Sequence, residues 1–263
     1  MSTPSPRIIS NEQQTDIVRL VVQTGMRLQQ HGAESKLVEQ TSSRLGLALG
    51  LDSVEIALTA NAIIVTGLYQ GRCITTTRRV FDRGINMHVV CEVQRIVLLA
   101  EKQLLDCDLV KDRLERISAF KYNRWLVVFM VGLSCASFSH LFGGDWTVFA
   151  MTFIASAFAM IVRQELAHRH HNPIFNFGVT AFVATLISSL AVRFNLGNQP
   201  ELVMAASVLL LVPGFPLINA VSDFVKGHVN TGMARWGMAT LLCLGAASGI
   251  ALAMALTGVR GWV

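Results

Sequence analysis

Five long stretches of the chain contain no charged residue, and they constrain the fold more than any other feature. An α-helix needs about 20 apolar residues to cross the hydrocarbon core of a bilayer, with a usual range of about 17–25. A soluble protein would have to bury five such helices completely, because none of the runs has an amphipathic face, and a soluble core of that kind is improbable. The sequence therefore predicts a multispan α-helical membrane protein. Its five transmembrane helices are expected at about 125–143, 146–162, 173–192, 202–222 and 236–257.

Charged residues are concentrated in the first half of the chain. Residues 1–124 contain 29 of the Asp, Glu, Lys and Arg residues, and the rest of the chain contains 10. The high apolar content excludes intrinsic disorder, and no Lys/Arg cluster is interleaved with aromatic residues, as nucleic-acid binding would require. We therefore expect a polar domain over 1–120 and a transmembrane domain over 121–263.

The positions of Lys and Arg predict how the helices cross the membrane, because these residues accumulate on the cytoplasmic side. The loops assigned to that side carry Lys121, Arg124, Arg163, Arg169, Lys226 and Arg235. The opposite loops carry only Arg193. No apolar signal segment occurs near the first residues. The predicted orientation has the N-terminus in the cytoplasm and the C-terminus in the periplasm.

The first 120 residues show the periodicities of a small α+β domain. Apolar residues at helical spacing predict helices over 12–31, 34–48, 85–105 and 108–116. Three β-rich runs lie at 53–58, 62–69 and 72–79, and Gln70–Gly71 separates the last two in the manner of a hairpin turn. The sequence predicts that this domain lies in the cytoplasm.

The fourth apolar run contains the strongest candidate for a functional site. Pro213, Gly214 and Pro216 lie in its middle, and a helix cannot continue unbroken through two prolines three residues apart. Broken backbone at membrane depth is tolerated only against protein or a water-filled cavity, and in transporters such breaks form substrate sites. Pro216 would begin a second half-helix whose amides near 217–219 face an anionic group. The alternative is a simple proline kink.

Polar residues follow the break at helical spacing. Asn219 and Asp223 are four residues apart and share one helical face. Asp223 could relay protons, or it could pair with Lys226 or Arg235. The alternative is an ordinary helix end with solvated charges.

Other chemistry finds little support in the sequence. The five cysteines form no C-x-x-C pair and are expected to be free, buried thiols. The histidines near 168–171 match no metal-site spacing, so they are assigned to a positively charged loop. Asp82, Arg83 and His88 could form an acid–base cluster, but Asp82 or Asn86 equally suits a helix cap. We predict no metal, no cofactor and no enzymatic activity.

Three segments resemble one known family. They are His31-Gly-Ala-Glu-Ser35, Arg83-Gly-Ile-Asn-Met-His-Val-Val90 and Leu211-Val-Pro-Gly-Phe-Pro-Leu-Ile-Asn-Ala220. They are similar to segments of the threonine/serine exporter family, and the resemblance covers the chain from about residue 12. It implies export of small hydrophilic carboxylates across a bacterial inner membrane. Long members export threonine and serine, whereas the split form, which this chain resembles most, is associated with succinate.

The number of spans bears on the partners of such an exporter. Five spans cannot divide into the paired repeats of many transporters, so transport would need a second copy of the chain or a different partner. In the split form of the family a separate, smaller membrane subunit, YjjB, supplies the missing half.

The sequence thus predicts one subunit of a carboxylate exporter in the lipid bilayer. Pro213, Gly214 and Pro216 would shape the site, and Asn219 would orient the carboxylate. Asp223 and Arg235 would act in gating or proton coupling. The alternative is a membrane-anchored sensor whose cytoplasmic domain binds a metabolite.

Overall fold

The computed structural model describes residues 9–259, so both chain termini lie outside the described range. The chain divides into two units. The first contains the chain up to Phe120 together with Phe215–Trp236, and the second contains Lys121–Gly214 and the chain from Gly237 onward. The segment after the proline break thus belongs to the same unit as the N-terminal residues.

The first unit contains helices and one small sheet. Its helices are α1 (Asn11–Gln30), α2 (Ser35–Ala48), α3 (Met87–Glu101) and α4 (Cys107–Arg116), and its strands are β1 (Ser53–Leu58), β2 (Ala62–Tyr69) and β3 (Arg72–Arg79). The strands pair antiparallel in the order β1-β2-β3. Tyr69 pairs with Arg72 across a two-residue turn in which Gln70 and Gly71 both have positive φ. This is the hairpin geometry that the sequence predicted.

Helix α1 lies at the centre of this unit. Ser10 and Gln13 form a capping box that fixes its first turn. The predicted apolar face is confirmed, since Ile17, Leu20, Val21, Thr24 and Leu28 are all buried. Alternate residues of β2 are buried, as expected for a sheet with one face against a core.

Four long apolar helices follow the pattern of membrane spans. They are α5 (Arg124–Leu141), α6 (Trp146–His168), α7 (Pro173–Arg193) and α10 (Val229–Thr257). Helix α6 extends to His168, so Arg163 is helical and does not lie in a loop as predicted. Helix α10 begins seven residues before its predicted start and includes Arg235. Both helices extend beyond the charge-free runs that predicted them, because a charged residue ends such a run but does not end a helix.

The fourth predicted span is broken. Helix α8 (Pro200–Ser207) continues as a 3₁₀ turn (Leu209–Leu211), and helix α9 (Gly214–Val225) begins three residues later. If the pair forms one broken span, residues 9–259 contain five candidate spans, and otherwise they contain four. The pair could equally form a re-entrant loop. The predicted break at Pro213 is therefore present.

Close backbone packing holds α7 against α10 in the second unit. A β-carbon on Gly245 would lie 2.8 Å from the carbonyl oxygen of Ile174, so any larger residue would force the helices apart. Gly245 and Gly249 form a G-x-x-x-G pair in the last span, and both lie close to the backbone of α7, the role this motif commonly has in membranes.

The cysteines are free thiols, but they are not uniformly buried as the sequence led us to expect. Cys135 is buried and Cys107 is partly exposed, whereas Cys73, Cys91 and Cys243 are exposed.

Candidate functional site

The helix after the break offers few free backbone donors. A helix leaves four amides outside its hydrogen-bond ladder: that of the preceding residue and those of its first three residues. In α9 these are residues 213–216, and two of them are prolines without an N–H group. The amide of Gly214 donates to the carbonyl oxygen of Val212 at 2.8 Å. The amides of 217–219, predicted to be free, lie inside the ladder, so only the Phe215 amide is left for a ligand.

Polar residues of α9 gather on one face in the first unit. Ser222 and Asp223 lie three and four residues after Asn219, and Lys226, just beyond the end of α9, lies three residues after Asp223. Each of them contacts the short segment between α1 and α2 or the first residue of α2. That segment, with Ser35, is the motif 31–35, to which the sequence assigned no role.

Asp223 is the centre of this cluster and is completely buried. Its carboxylate accepts a hydrogen bond from the Ser35 amide at 3.0 Å and another from the Ser35 hydroxyl at 3.0 Å. The residue at the N-cap position of α2, Glu34, makes no capping bond with its own side chain. Asp223 therefore replaces the missing cap, and its negative charge lies where the helix dipole favours it.

Arg235 neutralises the buried carboxylate. One guanidinium nitrogen, Nη1, donates to Asp223 Oδ2 at 2.9 Å, and Nη2 donates to the carbonyl oxygen of Ala33 at 2.7 Å. Of the two partners that the sequence left open for Asp223, the structure selects Arg235. Lys226 pairs elsewhere.

Glu34 forms a second ion pair beside the first. Its carboxylate accepts hydrogen bonds from Lys226 Nζ at 2.6 Å and from the Ser222 hydroxyl at 2.7 Å. These two contacts, that of Lys226 above all, hold the pKa of Glu34 below its ordinary value. Asn219 completes the row by donating to the carbonyl oxygen of Gly32 at 2.8 Å.

The second of the family-like motifs, residues 83–90, contacts the 31–35 segment. The Asn86 amide donates to the carbonyl oxygen of His31, and His31 Nδ1 lies 3.3 Å from the carbonyl oxygen of Gly84. Burial lowers the pKa of His31, which favours the neutral ring. Because a carbonyl only accepts, Nδ1 must carry the proton.

Asn86 also caps α3, and Asp82 accepts from the Gly84 amide. These contacts support the structural alternative for this segment over an acid–base cluster.

The structure brings together only some of the predicted residues. Asn219, Asp223 and Arg235 share one hydrogen-bonded cluster in the first unit, and Pro216 is the second residue of the same unit's stretch of α9. Pro213 and Gly214 belong to the second unit. Sequence reasoning missed Glu34 and Ser35. The signal that could have found them is the 31–35 motif itself.

Among residues 9–259, no group of three or more His, Cys, Asp and Glu side chains could hold a metal ion. The cluster's carboxylates are instead matched by Arg235 and Lys226. The two ion pairs therefore hold the end of α9 and Arg235 against the 31–35 segment.

Comparison with known proteins identifies the family. A family model described as "Putative threonine/serine exporter" (ThrE) matches residues 19–257. The chain belongs to the threonine/serine exporter family. The resemblance found in the three motifs is thereby confirmed over nearly the whole chain.

Individual members of the threonine/serine exporter family differ in length. The "Probable succinate transporter subunit YjjP" of Escherichia coli strain K12 is 55% identical, over 97% of this chain and all of that protein. A protein of the same name in Klebsiella aerogenes is also 55% identical. The "Threonine/serine exporter" of Corynebacterium glutamicum is 22% identical, and the match covers 97% of this chain but 55% of that protein. No solved structure matches the chain.

Membership of the exporter family, with four or five apolar helices, identifies a multi-pass inner-membrane transport protein. It is an exporter component and not an enzyme, as the sequence predicted. A membrane-anchored sensor is correspondingly disfavoured.

Proposed function

We propose that the chain is one subunit of an exporter of small carboxylates of the succinate class. Its full-length similarity to two proteins named as succinate transporter subunits supports this substrate class. The wider family includes a threonine/serine exporter, and both kinds of substrate carry a carboxylate. The observation that carries the proposal is the broken apolar helix pair, α8 with its 3₁₀ turn and α9, because transporters place substrates at such breaks.

The proposal includes a second, smaller membrane subunit resembling YjjB. The chain corresponds to only 55% of the long Corynebacterium exporter, and its relatives of equal length are named as subunits. Five spans, the number that the sequence predicts, would also lack the paired halves of many transporters. The partner would supply the other half. A homo-oligomer is the competing arrangement.

We place the N-terminal domain in the cytoplasm and the C-terminus in the periplasm. Cationic side chains at the start of α5 and the end of α6, Arg124 and Arg169, support this orientation.

Within this exporter, Pro213, Gly214 and Pro216 keep the fourth span open, and the Phe215 amide supplies one donor for a carboxylate. Asn219 would exchange its hydrogen bond to the Gly32 carbonyl oxygen for one to the substrate, and so would orient the substrate. Asp223 and Arg235 act in gating. Asp223 is hydrogen-bonded to Ser35 and Arg235 to the Ala33 carbonyl, so neither can bind substrate while those contacts hold. Breaking these contacts would free the charges of Asp223 and Arg235 together, and a movement of α9 would thereby be coupled to the N-terminal domain.

Efflux of labelled succinate, with labelled threonine in parallel, tests this function. Cells would express the chain alone, the YjjB-like partner alone, or both together. We expect succinate efflux above background only when both chains are present. Efflux by this chain alone would remove the partner from the proposal, and efflux of threonine but not succinate would overturn the substrate class.

A further inference from the structure

Arg163 has surroundings that a loop cation does not have. It lies in α6, inside a candidate membrane span. Its Nη1 donates to the carbonyl oxygen of Leu210 at 2.8 Å, and its guanidinium lies 5.0 Å from the centre of the Phe177 ring. An ionisable residue that faces the interior of a helical bundle most often marks a substrate or ion pathway.

Arg163 takes no part in the ion pairs of the described residues. Within residues 9–259, no carboxylate lies at ion-pair distance from its guanidinium. Glu165, two residues further along the helix, pairs with Arg124 and Arg169 instead. A guanidinium carries five N–H donors, and the Leu210 carbonyl is its one hydrogen-bond acceptor in the described part of the chain. Burying a cation with unused donors costs free energy, and a bound anion would lower that cost.

Arg163 also lines a cavity inside the second unit. The cavity has a volume of about 210 Å³ and lies among α5, α6 and the 3₁₀ turn just before the break. Its other lining residues include Ser134, Cys135, Met160, Leu209 and Leu210. Pockets for drug-sized ligands measure about 300–1,000 Å³, so this cavity suits a smaller molecule. Its lining is apolar except for a hydroxyl, a thiol and the guanidinium.

We propose that Arg163 binds a carboxylate group of the exported substrate in this cavity, with the Ser134 hydroxyl as a second donor. The inference rests on the proposed function, since it assumes that carboxylates are the cargo. The guanidinium is planar and always charged, and its paired donors match the two oxygens of a carboxylate. The ligand class is a small aliphatic mono- or dicarboxylate that places its remaining carbons against Met160 and Leu209.

A purely structural role for Arg163 makes different predictions. Leu210 lies in the last turn before the break, where helix carbonyls lack partners and a cation is favourable. If Arg163 only caps this turn, its removal lowers the amount or the stability of folded protein but leaves substrate affinity unchanged. If it binds substrate, affinity changes with the charge of residue 163.

The test measures KM for succinate in proteoliposomes containing the chain and its YjjB-like partner. We expect Arg163→Gln to raise KM roughly 10- to 100-fold, the loss typical of one charge-assisted contact, and Arg163→Lys to raise it less. Arg169→Gln removes an exposed cation from the same end of α6 and should leave KM within about twofold of wild type. An unchanged KM in Arg163→Gln would overturn the inference, whereas absence of succinate transport by the wild-type pair would overturn the proposed function.

A second measurement does not depend on whether the Arg163 variants fold. Val131→Cys, at a lining residue with no proposed contact to the carboxylate, is introduced into a chain whose native cysteines are serine, and its alkylation by a maleimide is timed. Succinate should slow the alkylation several-fold, and its uncharged diamide, succinamide, should not. Equal rates with and without saturating succinate would contradict binding at this cavity, including in a protein that transports succinate normally.

Discussion

The carboxylate of Asp223 caps helix α2 by binding both the amide and the hydroxyl of Ser35, 188 residues earlier in the chain. A helix normally receives its cap from the residue just before it. Here that residue, Glu34, uses its side chain for Ser222 and Lys226. The start of α2 is therefore held by α9, so displacement of α9 would uncap α2.

Asp223→Asn should loosen the start of α2. The asparagine side chain lacks the negative charge that stabilises Arg235 and the N-terminal end of the α2 dipole. Disrupting a buried ion pair costs about 3–5 kcal/mol. Hydrogen exchange of the Ser35 amide should accelerate by about a hundredfold or more. Asp52→Asn is the matched control, because Asp52 accepts from the Gln70 amide at an exposed turn. Unchanged exchange at Ser35 would contradict the capping role.

Asp223 and Arg235 should be energetically coupled. Each single variant, Asp223→Asn or Arg235→Gln, leaves an unmatched partner, whereas the double variant leaves none. The double variant should therefore be more stable than the sum of the single effects predicts, by about 1–3 kcal/mol. The measurement is the free energy of unfolding in detergent for all four chains. Strict additivity would show that the contact carries no net interaction.

The Glu34–Lys226 pair should make stability depend on pH. The folded pKa of Glu34 lies below its ordinary value of 4.5. The contact therefore stabilises the protein above about pH 4.5, and this contribution is lost as the pH falls through the folded pKa. Both side chains are about one third exposed, so solvent screening keeps the effect small.

Glu34→Gln tests this dependence through the thermal unfolding midpoint. The variant should unfold below the wild-type midpoint at pH 7, and the difference should close at low pH. Glu55→Gln is the control, since Glu55 forms no ion pair within residues 9–259. A Glu34→Gln difference that persists unchanged at pH 3 would contradict the assignment.

Pro216→Leu should abolish export without preventing membrane insertion. Leucine restores the missing N–H and removes the ring that disfavours a continuous helix. Small displacements at a binding site can lower a rate about a hundredfold, and we expect efflux to fall to that extent. Membrane abundance should be unchanged. Pro173→Leu, at the first turn of α7, is the control because proline is tolerated there. Normal efflux by Pro216→Leu would exclude the broken span as the site.

Local patterns were sufficient for most secondary structure. All three strands and the Gln70–Gly71 turn lie where alternation and turn residues indicated, because these signals arise within a few residues. Absence of charge located the membrane helices, since a bilayer excludes charge from its core. The same criterion ended α6 too early, because a charge that faces protein can remain in a helix. Arg163 was consequently assigned to a loop.

The sequence by itself determined the helices, the strands, the proline break and the family, because each depends on local residue type or on matching motifs. Only the tertiary structure decided which polar residues meet. Asp223 could have paired with Lys226, just after its own helix, but packing of α9 against the 31–35 segment directs it to Ser35 and Arg235. Likewise, only the packing of α5 and α6 beside the 3₁₀ turn gives Arg163 a cavity. Such contacts depend on how distant segments pack, and no periodicity in the sequence encodes that.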